Sequence, residues 1–196
     1  MALENVLGLA DSYLTLADNF YIYSDPVSGR MIYFPADFDG SLGTTTFDPK
    51  LMLSGNYSEH PGFTLRPLTR HLYANDIMLG NYQTTLLNLS QNLINPNVIN
   101  PFIDNAVNMI ADDVAWDKTL PRLGKYIDLS SGGVGAFNVA DPAIRQYIPD
   151  GFSISSNFTN NATETSADSN YPVDEVKAFL YQKSANIISF YNVTSN

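Results

Sequence analysis

The sequence predicts an α+β domain, mostly helical, built around one aromatic β-hairpin. Three observations predict it. Asn19 to Tyr23 is aromatic and β-branched, and Arg30 to Phe34 repeats that character after the turn residues Asp25-Pro26-Val27-Ser28-Gly29. Before the hairpin, and again beyond Arg66, apolar residues recur at helical spacing. Of the 196 residues 44% are hydrophobic and 15% charged, enough apolar material for a core and too little charge for wholesale disorder.

Taken in order, Asn5 to Leu16 reads as a short helix running into a loop, with Asp11 at the helix end. The hairpin follows, and Ala36 to Gly43 continues it as an acidic loop punctuated by Gly40 and Gly43, which would let the chain turn sharply. Thr44 to Phe63 reads as irregular. Arg66-Pro67-Leu68 opens a helical stretch to about Tyr73. Asn75-Asp76 reads as the cap of a longer helix with Met78, Leu79, Tyr82, Leu86, Leu87, Leu89 and Leu93 on one stripe. Asn95-Pro96-Asn97 breaks that helix, and another is expected from after Asn100-Pro101 to near Trp116, with Trp116 as a core anchor. Ser130 to Gly135 reads as a turn; it lacks the Lys-Ser/Thr ending of a phosphate-cradling loop. Residues 153–170 read as an exposed Asn/Ser/Thr-rich inserted loop, not a domain boundary. Pro172 to Tyr191 closes the chain as a helix burying Val176, Phe179, Leu180, Ile187 and Ile188. His60 and His71 read as surface residues.

The formal net charge is -10, which argues against a nucleic-acid partner, because such a surface repels phosphate backbones. There is no cysteine, so a disulfide scaffold, a thiolate metal site and a cysteine nucleophile are excluded. No stretch approaches the ~20 apolar residues that span a bilayer, and the amino terminus has no signal-peptide pattern. The chain opens in what reads as the middle of a helix, which predicts a fragment of a longer protein. Asn-x-Ser/Thr triplets begin at Asn56, Asn88, Asn157, Asn161 and Asn192, which favours secretion and a glycoprotein.

Acidic and amide side chains gather around the hairpin. Asp11 precedes it, Asn19 starts it, and Asp37 and Asp39 follow it; a hairpin brings its two ends together. Phosphoryl transfer needs this kind of set: one carboxylate to orient an attacking hydroxyl, and a carboxylate with an amide oxygen to hold magnesium. Asp37 and Asp39, two apart, would point the same way in an extended segment, so both are candidate ligands. Asp-x-Asp-Gly also serves as a turn, a helix cap or a weak calcium site.

Asp11-Ser12-Tyr13-Leu14, Asp18-Asn19-Phe20-Tyr21-Ile22-Tyr23-Ser24-Asp25-Pro26 and Pro35-Ala36-Asp37-Phe38-Asp39-Gly40-Ser41-Leu42-Gly43 resemble the core of the CotH kinase family, which includes bacterial spore coat kinases and cell-surface invasins of mucoralean fungi. Arg66-Pro67-Leu68, the Tyr82 helix, Asn95 to Ile99 and Ile110 to Asp117 are similar to its helical part. The resemblance implies an atypical protein-kinase-like fold that binds ATP and Mg2+ and phosphorylates protein serines. It implies Asp11 as the catalytic aspartate, Asn19 as a metal ligand, and Asp37 or Asp39, or both, as the metal-binding aspartate after the hairpin. It places residues 1–196 in the carboxy-terminal, mostly helical part of that domain, without the amino-terminal nucleotide-binding lobe. The first lysine is Lys50, past the motif, and Arg30 is the only early cation. Three activities follow as expectations: a protein kinase, a cell-surface binding protein for a host receptor, or a coat-assembly protein with a dead site. The implied location is extracellular, at a cell surface or in a spore coat.

Overall fold

The computed structural model describes residues 1–43, 47–119, 143, 146–147 and 171–194. Within them run α1 (Ala2–Leu7), β1 (Phe20–Ser24), β2 (Met31–Pro35), α2 (Pro49–Met52), a 3-10 turn (Tyr57–Glu59), α3 (Pro67–Leu72), α4 (Asp76–Asn92), α5 (Pro96–Thr119) and α6 (Tyr171–Thr194). Helices around one two-stranded antiparallel sheet make a mixed α+β architecture.

Local chemistry sets most boundaries. α1 stops at Gly8, which takes a left-handed φ of 61° and returns its N–H to the Asn5 and Glu4 carbonyls. Asn75 caps α4: its side-chain oxygen accepts the N–H groups of Ile77 and Met78 at 3.0 and 3.1 Å. Asp48 and Asn56 cap α2 and the 3-10 turn in the same way, giving the expected irregular stretch short helical pieces.

α5 corrects the expectation that a helix begins only after Pro101. It begins at Pro96, where the fixed φ suits a first helical position, and the Asn95 side chain accepts the Asn97 N–H at 2.9 Å. Pro101 lies inside α5, within its second turn. Asp11 is likewise not at a helix end; it sits in a loop beyond Gly8. Trp116 is 64% exposed, so it anchors no core. The expected turn at 130–135 and inserted loop at 153–170 lie outside the described residues.

The core joins the amino-terminal segment (Val6, Ala10, Leu14) to Phe47, Met52, Phe63, Tyr82, Leu86, Ile94, Phe179, Leu180 and Ile187. α1 and α6 both pack on α4. The loop that carries Asp11 is thus pinned from below by buried Leu9, Ala10 and Leu14.

Two buried basic residues stand out. Lys183 on α6 is fully buried and donates to the Met52 and Ser54 carbonyls at 2.8 and 2.9 Å. Burial pulls its ammonium down to about 7. His60 is also buried, against the surface position expected, with Nε2 3.4 Å from the Thr15 hydroxyl. Burial, then the Lys183 charge, lowers it to about 3, so it is neutral at physiological pH. His71 is exposed, as expected.

Among the described residues, no helix is long and apolar enough to cross a membrane.

Candidate functional site

The hairpin register runs from Phe20 opposite Pro35 to Ser24 opposite Met31. One bond extends the pairing at the open end: the Ala36 N–H donates to the Asn19 carbonyl at 2.7 Å. Asn19 and Asp37 therefore flank the same end of the ribbon. Both take left-handed backbone, with φ of 46° and 54°. Asn and Asp tolerate that region better than other residues with a Cβ, and such conformations concentrate at functional sites.

The segment after Asp37 folds back over the Asp11 loop. The Ala10 N–H donates to the Gly40 carbonyl at 2.7 Å, and the Leu42 N–H to the Leu7 carbonyl at 2.9 Å. A Cβ on Gly40 would stand 3.5 Å from the Asp11 Cβ, an ordinary contact. Gly43, with φ of 99°, makes the turn that Gly40 does not.

Asp11 is the electrostatic centre. Its Oδ2 accepts from Asn19 Nδ2 at 2.8 Å. Partial burial raises its carboxyl, and the charges of Asp18, Asp39 and Asp37 raise it further, while the Asn19 bond opposes them. Asp18 was not singled out from the sequence; its own carboxylate accepts the Asn19 N–H at 2.9 Å.

The structure thus brings Asp11 and Asn19 into direct contact, with Asp37 and Asp39 within the range of their charge. Among the described residues, no three His, Asp or Glu side chains lie close enough together to hold a metal. The donor chemistry does suit a hard divalent cation: carboxylate and amide oxygens only, and an Asp11 carboxyl raised first by partial burial and then by the charges of Asp18, Asp39 and Asp37, of which a cation would relieve the second part. Asn19 donates its amide nitrogen to Asp11, which leaves its side-chain oxygen for a cation.

The Asp11 loop is clamped from two sides. Arg66, at the start of α3, donates from Nε to the Leu14 carbonyl at 3.2 Å and from Nη2 to the Thr15 carbonyl. Glu4, fully buried on α1, accepts the Leu14 N–H at 3.2 Å. Glu4 was not recognised from the sequence. The signal available was a lone acidic residue at the head of an apolar helical stripe.

The model of the CotH kinase protein family matches residues 1–150. No curated protein and no solved structure matches the chain. The matched span takes in the hairpin, both aspartate-bearing loops and α1 to α5, so this chain belongs to the CotH kinase protein family.

Proposed function

We propose that these residues form the metal and acceptor side of an atypical protein kinase site, which transfers phosphate from ATP to protein serine with Mg2+. One observation carries the reading: Asn19 holds Asp11 at 2.8 Å while Asp37 and Asp39 act on the same carboxyl by charge. Asp11 is the base. Its Oδ2 is fixed by Asn19, so the other oxygen faces the acceptor hydroxyl and takes its proton. A raised carboxyl is a stronger base, which suits that step. Asn19, Asp37 and Asp39 would hold the magnesium ion, which would supply charge neutralisation to the transferring phosphate.

The test is Mg2+-dependent transfer of labelled phosphate by the full-length protein. Asp11→Ala, Asp37→Ala and Asp39→Ala should each abolish it; full transfer in all three would refute the assignment.

A second reading is an adhesin-like binding protein at a cell surface. The hairpin favours it: Tyr21, Tyr23, Met31 and Phe34 are all exposed on a ribbon that half-buries only Phe20, Tyr33 and Pro35. Under that reading, Tyr21→Ser with Met31→Ser removes receptor binding and leaves phosphate transfer intact.

A further inference from the structure

Glu4 has no part in the chemistry above, yet it is a fully buried carboxylate whose charge reaches the half-buried Met1 ammonium. A carboxylate in such a place is costly unless its oxygens are hydrogen-bonded. Both are. Oε2 accepts the Leu14 N–H at 3.2 Å, and Oε1 accepts the Tyr33 hydroxyl.

A phenol has one proton. With that proton on Glu4, the Ser12 hydroxyl, 3.1 Å from Tyr33 Oη, must be the donor to Tyr33. The chain Ser12 to Tyr33 to Glu4 therefore runs in one direction. Its two ends matter. Ser12 is covalently next to Asp11, and Tyr33 lies on β2, which ends at Pro35, two residues before Asp37. The rings of Tyr13, Phe20 and Tyr33 close around the same point, with centroids 5.3 to 6.4 Å apart. Tyr33 is also one of the few hairpin side chains that face inward.

We infer that Glu4 and Tyr33 are positioning residues: one buried hydrogen-bond chain that sets the Asp11 loop against the strand leading to Asp37. This rests on the proposed metal site. Tyr33→Phe removes both Tyr33 hydrogen bonds and keeps the ring. Ser12→Ala removes one of them. Glu4→Gln leaves a single acceptor oxygen for two donors. Tyr73→Phe is the control, because it removes another half-buried hydroxyl, one that bonds Met1 Sδ and is no member of the Ser12–Tyr33–Glu4 chain.

The probe is Mn2+ alone, titrated into the full chain and followed by electron paramagnetic resonance, with thermal unfolding measured on each variant. Wild type should bind Mn2+. Tyr33→Phe and Glu4→Gln should bind about tenfold more weakly, the effect typical of groups that orient metal ligands. Ser12→Ala should show a smaller loss and carries the test if Tyr33→Phe does not fold. Tyr73→Phe should bind like wild type. Equal Mn2+ affinity in Tyr33→Phe and Ser12→Ala overturns the positioning role while leaving the metal site standing. An equal loss in Tyr73→Phe also overturns it, since the effect would then be general loosening. No binding by wild type overturns the metal reading itself, and the positioning role with it.

Discussion

Gly62→Ala is the substitution whose cost the structure specifies most sharply. Gly62 has φ of 85°, and a Cβ there would lie 1.9 Å from the Leu14 carbonyl oxygen and 3.1 Å from the Thr15 Cα. The left-handed backbone alone costs a residue with a Cβ about 1–2 kcal/mol. To regain van der Waals contact the Leu14 carbonyl must retreat by about 1.5 Å. It cannot do so freely, because Arg66 holds the Leu14 and Thr15 carbonyls and Glu4 holds the Leu14 N–H. Losing even one such buried bond costs about 1–3 kcal/mol. The sum is about 2–5 kcal/mol, which in a chain of this size lowers Tm by roughly 10 °C. Urea unfolding followed by far-UV circular dichroism measures it. Gly29→Ala isolates the clash: Gly29 has φ of 67° but nothing within 4 Å of its Cβ, so only the backbone term applies. A Gly62→Ala loss no greater than that of Gly29→Ala would refute the reasoning.

Other substitutions follow from the same contacts. Gly80 lies inside α4 with nothing within 4 Å of a Cβ, so Gly80→Ala should stabilise by about 0.5–1 kcal/mol in thermal or urea unfolding. Asn75→Ala removes the α4 cap and should cost about 1 kcal/mol in the same assay. Lys183 is depressed from 10.5 to about 7 in the fold, so between those values the unfolded chain binds the extra proton. Stability should therefore rise with pH from about 7 to 9, and that rise should shrink in Lys183→Met; an identical pH profile would count against a buried ammonium. Asp11 is raised in the fold, so its contribution to stability is present at low pH and lost as pH climbs through its folded value. Asp11→Asn, which keeps an acceptor for Asn19, should raise Tm at pH 7 without divalent cations, and the gain should vanish near pH 3.

The hairpin and the α4 start are legible in the sequence because their causes are local. Asp25 to Gly29 dictates a turn, and Asn75 needs only the next three residues to cap a helix. Helix breaks are less legible. Pro101 alone suggests an interruption, whereas Asn95 and Pro96 have already started α5 and the helix runs on through it. Burial depends on the whole fold: Trp116 faces solvent and His60 lies inside, and neither follows from its neighbours. Of the candidate site, the approach of Asn19 to Asp37 follows from hairpin geometry. The contact between Asp11 and Asn19, and the tie from Glu4 to Tyr33 across 29 residues, depend on how the loop folds back over the ribbon.

The most direct measurement is paramagnetic broadening by Mn2+ in a two-dimensional NMR spectrum of the full chain. The site described above predicts that signals of Asp11, Asn19, Asp37 and Asp39 broaden first, and that excess Mg2+ restores them. Broadening that begins elsewhere, or none at millimolar Mn2+, would contradict it.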